Sequence, residues 1–463
     1  MVPRQTSRRA PGVRVCLALH SATGGLLLAI ALAIRLFHQS HPILAALEPI
    51  GFALGLIVLL LAVFPARGIH PTLFAGGCVS VLISVLALGT AETVCRVMGI
   101  DFLAQEANWL KLPPYCRQPK VPSGTVFFRH RGPEVWTGQV LTTGIGLAGW
   151  PVPEAYRNEP VLTVRYDATG FRNEDELTDW EVAVAGDSFT ELGSVPFDAL
   201  FTTILGRETG VRVRNLGVSS TGPFTHLSYL EDYGVAPSLK HVVIVFFEGN
   251  DMDDLGKEYN ALTRYEETGE RPYRWFEKQT SLLTALGDLW IRSSRREPLS
   301  LDLIPVVHFH SAQGVIPVTI TQVPPAVEHL TPGDHAELKR FFSEYRAFGQ
   351  RRGVRTWLAY MPCKGRVLHG RVEAVEAHRE GGGLWIPTRF PEVIAEGCMR
   401  HGIEFIDLTP PLRRAAQERG ELVYNSMIDV HLNAKGSMLV GETLVRRLKP
   451  ELQTDTLPPS PPP

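Results

Sequence analysis

The residues best suited to chemistry in this sequence are a serine and a histidine that lie far apart in the chain. Ser188 ends a Gly-Asp-Ser triplet that follows an apolar run, and His431 lies two residues after Asp429. A serine hydroxyl is a weak nucleophile at neutral pH unless a neighbouring base accepts its proton, and an imidazole can do so. Asp429 could orient that imidazole and stabilise its protonated form. This combination predicts nucleophilic acyl chemistry at Ser188.

An acyl-transfer site also needs hydrogen-bond donors for the negatively charged oxygen of its tetrahedral intermediate. The candidates are the backbone amides of Ser188 and Gly217 and the side-chain amide of Asn250. Gly217 and Asn250 each follow an apolar run, as Ser188 does. We therefore expect these three residues to lie together and to form an oxyanion hole.

The elements that must position these residues are short apolar runs that alternate with helical stretches. Such alternation predicts a doubly wound parallel sheet. The carboxyl ends of parallel strands meet at one edge of the sheet, where open α/β folds build their sites. The predicted strands are 181–185, 211–216, 242–247, 355–360 and 403–408.

Capping residues and apolar periodicity predict two helices of this α/β domain. Asp334 and Glu337 can form a capping box at the start of one helix, and the apolar residues that follow repeat on one face. That face comprises Leu338, Phe341, Phe342, Tyr345 and Phe348, and we expect it to be buried. Asn433 is a good N-cap for a helix at about 434–448, which would hold the loop of His431 against a fixed element.

The order of these motifs resembles the SGNH/GDSL hydrolase superfamily over about residues 164–448. The matching set is Gly186-Asp187-Ser188-Phe189, Gly217, Gly249-Asn250-Asp251, Asp429 and His431. The resemblance implies a flavodoxin-like three-layer α/β/α domain. It also implies that Ser188 is the nucleophile, that Gly217 and Asn250 are oxyanion donors, that His431 is the base, and that Asp429 is the orienting acid.

Two further segments resemble the membrane-linked branch near alginate O-acetyltransferase-like proteins. They are Tyr166-Asp167-Ala168-Thr169-Gly170-Phe171-Arg172-Asn173 and Asp429-Val430-His431-Leu432-Asn433. Most esterases of the superfamily place two residues between the acid and the histidine, whereas only Val430 lies between them here. On extended backbone, residues i and i+2 point to the same side, so contact remains feasible. The spacing leaves both hydrolysis and acyl transfer open.

The first hundred residues predict a membrane anchor with three transmembrane helices, at about 15–34, 43–66 and 71–91. Each apolar stretch is long enough to cross about 30 Å of hydrocarbon as a helix. Four arginines precede the first span, which predicts a cytoplasmic N-terminus under the positive-inside rule. Three crossings would then place the catalytic domain in the periplasm or outside the cell.

The rest of the chain divides into three predicted parts. Residues 97–160 are rich in Pro, Gly and aromatic residues and predict a juxtamembrane connector with some strand. Residues 161–450 form the SGNH-like domain, with an insertion at about 253–331 that could cover the site as a lid. An inserted helix is expected around Leu282 to Trp290, and the Pro-rich residues 451–463 predict a disordered tail.

Composition narrows the range of partners. The formal net charge of -2 gives no basic excess, which argues against nucleic acid. No motif indicates a cofactor, and the imidazoles of His308 and His310 lack an evident third ligand for a metal. Cys363 and Cys398 could pair in an oxidising compartment, but spacing alone leaves this open.

These observations predict an esterase or O-acyltransferase that acts on ester-linked acyl groups, with O-acetyl groups of an extracytoplasmic glycan as the expected substrate. Water as acceptor gives an esterase, and a sugar hydroxyl gives a transferase. The transferase version needs a membrane protein that donates the acyl group, because three spans are too few for an acyl-carrying channel. The alternative is a catalytically silent SGNH-like module that binds glycan or scaffolds a membrane complex.

Overall fold

The protein is described by a computed structural model, which covers most of the chain from residue 113 onward. The described residues are 86–94, 113–116, 121–123, 127–147, 150–173, 177–269, 304, 306–324, 326–374 and 385–454. All of those from residue 113 onward belong to one compact unit, Ala107–Tyr273 with Arg295–Pro463.

Strands and helices alternate through this unit. The strands are β1 (Val121–Ser123), β2 (Phe127–Arg129), β3 (Glu134–Gly138), β4 (Leu162–Tyr166), β5 (Val182–Gly186), β6 (Val213–Gly217), β7 (His241–Phe247), β8 (Val306–Ser311), β9 (Gly314–Thr319), β10 (Arg355–Met361), β11 (Val372–Ala374) and β12 (Glu404–Asp407). The helices are α1 (Val140–Leu147), α2 (Ser188–Glu191), α3 (Phe201–Thr209), α4 (Pro223–Tyr229), α5 (Asp251–Thr268), α6 (Pro332–Arg352), α7 (Lys364–Leu368), α8 (Phe390–His401), α9 (Thr409–Arg419) and α10 (Ala434–Thr454). Among the described residues, short 3-10 turns lie at Pro114–Cys116, Glu154–Tyr156, Phe197–Ala199 and Val327–His329, and a π-helical turn lies at Leu230–Gly234.

Five parallel strands form the central sheet, in the order β12-β10-β7-β5-β6. These are the five strands that the apolar runs predict, so that prediction is confirmed. Counted along the chain, the order is the flavodoxin-like 2-1-3-4-5, read from the β6 edge. The strand order therefore reverses beside β5, and a reversal of this kind is where such sheets bind their ligands.

Apolar side chains cover both faces of the sheet, because successive residues of a strand point to opposite faces. In β7, Val243, Val245 and Phe247 pack on one face with α3, α9 and α10. Val242, Ile244 and Phe246 pack on the other face with α4, α6 and α8. The domain is thus a three-layer α/β/α sandwich with a parallel sheet, as expected.

Three smaller sheets surround this sandwich. β1 and β2 pair antiparallel, and both lie in the predicted connector. β3, also in the connector, pairs antiparallel with β4, which lies at the start of the predicted SGNH-like domain. β8 and β9 form a hairpin that pairs with β11. The hairpin lies in the predicted insertion, and α5 occupies the start of that insertion. The helix expected around Leu282 to Trp290 lies outside the described residues.

The structure corrects two helix boundaries. Helix α6 starts at Pro332, and its capping box joins Thr331 to Asp334, so the predicted box of Asp334 and Glu337 is wrong by one turn. The expected apolar face is buried in full. Helix α10 continues through Pro450 to Thr454, so the predicted tail boundary at residue 451 is also wrong. Residues 455–463 lie outside the described residues.

The predicted membrane anchor falls almost wholly outside the described residues. Of its three spans, only residues 86–91 are described, and they belong to a helical stretch at 86–94. Within the described part of the chain, no helix combines the length and the apolar character that a membrane crossing requires. The three spans stay a prediction.

Candidate active site

The predicted nucleophile lies at the carboxyl edge of the sheet, where β5 passes directly into α2. Asp187 is the N-cap of α2, and its carboxylate accepts a hydrogen bond from the N–H of Phe189 at 2.8 Å. Ser188 is the first residue of α2 and remains partly accessible. A short helix on the strand end therefore presents the Ser188 hydroxyl at the point where the strand order reverses.

The structure brings Ser188, His431 and Asp429 together across 243 residues of sequence. Ser188 Oγ lies 2.8 Å from His431 Nε2. On the other side of the ring, His431 Nδ1 lies 3.2 Å from both carboxylate oxygens of Asp429. The side chains of His431 and Asp429 are 15% and 13% exposed, so most of each group is shielded from solvent. This is the serine, base and acid arrangement of nucleophilic acyl transfer.

Several hydrogen bonds fix the loop that carries the acid and the base. Asn425 Nδ2 donates to Asp429 Oδ1 at 2.9 Å, and the N–H of His431 donates to the same oxygen at 2.9 Å. Ile428 adopts a left-handed conformation, with φ at 63°. Because β-branched residues rarely adopt this conformation, the surrounding contacts must impose it. Asp429 keeps a pKa well below its usual value although burial opposes this, because it faces His431 and accepts these hydrogen bonds.

A buried lysine supports the same loop. Lys364 Nζ donates to the main-chain oxygens of Ser426, at 3.1 Å, and Asp429, at 2.6 Å. Burial lowers the pKa of Lys364 to about 7, while the charge of Asp429 acts in the opposite direction. No local pattern in the sequence predicts this contact, because Lys364 follows β10 and is remote in sequence from the loop that it holds.

Two tyrosines of the predicted connector also contact the active-site loop. The hydroxyl of Tyr156 accepts from the N–H of Met427 and donates to its carbonyl, each at 3.0 Å. The hydroxyl of Tyr115 makes a short hydrogen bond with His431 Nδ1, on the side of the ring that also faces Asp429. The connector is therefore part of the site, which its Pro-rich and Gly-rich sequence did not indicate.

The predicted oxyanion donors are only partly available. The N–H of Ser188 has no hydrogen-bond partner among the described residues. In contrast, the N–H of Gly217 donates to Asn215 Oδ1 at 2.8 Å, so the prediction of Gly217 as a free donor is not supported. Asn250 Nδ2 donates to Asp254 at 2.8 Å, which leaves the second hydrogen of that amide. After β6, the first amide without a partner in the described chain is that of Ser220, in a left-handed turn with φ at 64°.

Gly217 has a steric role instead. A Cβ atom at this position would lie 2.3 Å from the nitrogen of Glu191 and 2.5 Å from the carbonyl carbon of Thr190. At Gly186, an added Cβ would lie 2.1 Å from Thr190 Oγ1. The two glycines pair with each other at the ends of β5 and β6. Their missing side chains allow α2 to lie directly on the strand ends, which sets the height of Ser188 above the sheet.

Glu191, at the end of α2, is the buried centre of a polar network that sequence reasoning missed. Its carboxylate accepts from the N–H and the hydroxyl of Ser219, each at 2.6 Å, and from the hydroxyl of Tyr166. It also pairs with His130 at 3.2 Å. Burial alone would raise the pKa of Glu191, but His130 and these hydrogen bonds hold it at about 2. The network joins α2 to β4, to the connector and to the loop after β6.

The segment Tyr166 to Asn173 also helps to position the nucleophile helix. The buried guanidinium of Arg172 donates to the main-chain oxygens of Glu191, at 2.9 Å, and of Leu192. Asn173 bridges Asp167, at 2.8 Å, and the main chain of Asn215, at 3.0 and 3.1 Å. This segment therefore forms hydrogen bonds with the C-terminal end of α2 and with β6.

No group of three or more potential metal ligands comes together within the described residues. His310 lies 3.4 Å from Glu373, and His308 is exposed. Cys363 and Cys398 are both buried free thiols, so the pairing that the sequence left open is not formed.

No protein-family model matches this sequence, and no curated protein matches it. Among solved structures, the chain is similar to a protein ascribed to the G-D-S-L lipolytic family from Desulfitobacterium hafniense, at 14% identity and a TM-score of 0.28, covering 57% of this chain and 98% of that one. It is also similar to a carbohydrate esterase family 2 enzyme from Corynascus, at 11% identity and a TM-score of 0.30, covering 64% of this chain and 71% of that one. An acetyl xylan esterase from Butyrivibrio proteoclasticus matches at 10% identity and a TM-score of 0.29, covering 62% of this chain and 67% of that one. At these TM-scores the similarity carries no conclusion about activity, which must come from the geometry of the site itself.

Proposed function

We propose that this protein is an SGNH-type serine enzyme that cleaves or transfers ester-linked acyl groups. One observation carries the proposal, namely the 2.8 Å contact between Ser188 Oγ and a His431 ring whose other nitrogen faces Asp429. A base within this distance of a hydroxyl can accept its proton as the hydroxyl attacks. The acid on the opposite nitrogen favours the tautomer that leaves Nε2 free to act as that base.

The reaction would proceed in two halves. Ser188 Oγ attacks the acyl carbonyl carbon while its proton moves to His431 Nε2, which gives a tetrahedral intermediate. The bond to the leaving alcohol then breaks, and His431 returns the proton to the departing oxygen. In the second half, water or a sugar hydroxyl attacks the acyl-serine with His431 again as the base. Water yields a free acid, and a sugar yields a new ester.

The oxyanion would be held by the N–H groups of Ser188 and Ser220 and by the remaining hydrogen of the Asn250 amide. This proposal replaces Gly217, whose N–H is already donated to Asn215. The loss of one such donor typically lowers the rate about 100- to 1000-fold. Three N–H donors of this kind would stabilise the negative charge that develops on the former carbonyl oxygen.

For the substrate, we propose O-acetyl groups of an extracytoplasmic glycan. The proposal rests on the resemblance to the acetyltransferase-like branch and on the predicted multi-pass anchor in the lipid bilayer, with a cytoplasmic N-terminus and a periplasmic or extracellular catalytic domain. If the acceptor is a sugar, a membrane protein must supply the acyl group. A reporter that is active only in the cytoplasm, fused after the C-terminus, should stay silent, and a signal from it would contradict this topology.

Labelling of the full-length protein with a fluorophosphonate tests the proposed chemistry, because the probe captures serines activated by a base. Wild type should be labelled, Ser188→Ala should not, and Ser228→Ala, which removes a hydroxyl from α4, should be labelled as wild type is. Labelling that persists in folded Ser188→Ala, or is absent from folded wild type, would contradict the proposal. Acetylated and unacetylated glycans supplied together then separate free acetate from acetyl transferred to a new sugar.

A second candidate is a catalytically silent glycan-binding or scaffolding module of the same fold. One observation favours it: the N–H of Gly217 and one hydrogen of the Asn250 amide are engaged by neighbouring side chains. Such a protein would keep its fold and bind glycan without labelling at Ser188. Binding that is unchanged by Ser188→Ala, together with no labelling of wild type, would select this candidate.

A further inference from the structure

Tyr115 contacts the histidine base of the proposed acyl chemistry. The role assigned to Tyr115 below rests on that proposed function. The spacing of Asp429 and His431, with one residue between them, places both carboxylate oxygens 3.2 Å from Nδ1. Hydrogen bonds between a ring N–H and a carboxylate are usually about 2.7–2.9 Å long. Asp429 alone therefore holds the ring loosely. The hydroxyl of Tyr115 is closer to Nδ1 than either carboxylate oxygen.

Tyr115 is buried and packed against its neighbours. Its side chain is 8% exposed, and its ring lies against the backbone of Gly193, where an added Cβ would come within 2.2 Å of the ring. The Tyr115 ring meets the His431 ring edge-on, with centroids 5.2 Å apart and planes at 70°. The hydroxyl is therefore fixed beside Nδ1.

The surroundings of Tyr115 keep its hydroxyl protonated and neutral. Burial first, and then the charge of Asp429, raise the pKa of Tyr115 well above its usual value. A neutral phenol keeps lone pairs that can accept the Nδ1 hydrogen. With that hydrogen held on Nδ1, the lone pair of Nε2 faces Ser188 Oγ. If the phenol instead donated to Nδ1, the ring hydrogen would lie on Nε2 and His431 could not act as the base.

We propose that Tyr115 is a positioning residue for the proposed acyl chemistry, whose hydroxyl accepts the Nδ1 hydrogen of His431 jointly with Asp429. Tyr115 does not touch the reacting atoms and acts through the histidine. It compensates for the long contacts that the short acid-to-histidine spacing imposes. It also makes the activity of the domain depend on a residue of the connector.

The test compares the pH profile of fluorophosphonate labelling in full-length wild type, Tyr115→Phe and Tyr229→Phe. Tyr115→Phe keeps the ring on Gly193 and removes only the hydroxyl. Tyr229→Phe is the matched control, because Tyr229 is also buried and its hydroxyl donates to the main-chain oxygen of Phe128, in β2. Intact folding of each variant is checked by near-ultraviolet circular dichroism.

We expect Tyr115→Phe to label about tenfold more slowly at neutral pH, since one hydrogen bond to the base is lost. The acid limb of its profile should move to lower pH, because the imidazolium loses an acceptor that stabilises it. Tyr229→Phe should match wild type in both respects.

Three results would overturn the role of Tyr115 while Ser188-dependent labelling of wild type persists. The first is an unchanged rate and profile in Tyr115→Phe. The second is a slower rate with an unmoved acid limb, which would show a packing role only. The third is a faster rate, which would show that the hydroxyl donates to Nδ1 and restrains the base. Absence of Ser188-dependent labelling in wild type would instead remove the proposed function, and the role of Tyr115 with it.

Discussion

Replacement of Glu191 by glutamine tests the polar network that anchors the nucleophile helix. The substitution keeps the size of the side chain and removes its charge, so it breaks the pairing with His130 and weakens the bonds from Ser219. Glu191 is fully buried, and its pKa lies at about 2 instead of the usual 4.5. A drop of this size corresponds to about 3 kcal/mol of stability at neutral pH.

The pH dependence of this contribution has a definite sign. Because the folded-state pKa of Glu191 is lowered, its stabilisation is fully present above about pH 4.5 and is lost as the pH falls towards 2. Wild type should therefore lose about 1.4 kcal/mol between pH 7 and pH 3.5 through this residue alone. Glu191→Gln should lack this loss while being less stable than wild type at pH 7.

Hydrogen exchange of the β5 amides measures the effect in the full-length chain, since these amides report opening of the sheet beneath α2. The opening free energy is compared between wild type and Glu191→Gln from pH 7 to pH 3.5. Glu208→Gln, an exposed glutamate of α3, serves as the control and should stay within about 0.5 kcal/mol of wild type. Parallel pH curves for wild type and Glu191→Gln would refute the assigned contribution of the Glu191 charge.

Further predictions concern the same site. Gly217→Ala should cost about 1–3 kcal/mol of stability and slow the labelling of Ser188, because the new Cβ meets the backbone of α2. Gly146→Ala should do neither, because its new Cβ would lie 3.8 Å from the nearest atom, Val152 Cγ2, and normal labelling of Gly217→Ala would contradict the packing role. Wild type should become more stable between about pH 7 and pH 10.5, since the unfolded chain binds the proton of Lys364 more tightly than the folded chain does over that range. Lys364→Met should lack this rise, and hydrogen exchange measured across the same pH range tests both expectations. Asp429→Asn should slow labelling about 1000- to 10000-fold with the fold retained, and an unchanged rate would exclude Asp429 as the orienting acid.

The fold was largely predictable from the sequence. The five central strands lie at the runs from which the sequence predicted strands, and alternation of such runs with helical stretches permits few arrangements. The errors lie at element ends, where short-range signals compete. Thr331 and Asp334 are both good caps, and the structure selects Thr331 because its hydroxyl and backbone bond reciprocally with Asp334.

The sequence predicted some residues of the candidate site better than others. Ser188, His431 and Asp429 were identifiable because each lies in a local motif at a strand or helix end, and the structure brings them together. Gly217 was identifiable as important, but its expected role was not supported. A glycine after a strand can expose its N–H or make room for a neighbour, and only the packing of α2 distinguishes the two.

The sequence by itself determined the identity and order of the reactive residues and the strands that carry them, because these depend on neighbours within a few positions. The tertiary structure alone decided what surrounds them. Tyr115 reaches the site from the connector, Glu191 from the end of α2, and Lys364 from the helix that follows β10. No local pattern in the sequence marks them. Their contacts depend on distances between parts of the chain that are remote in sequence, which are set only when the sheet edge closes around the serine.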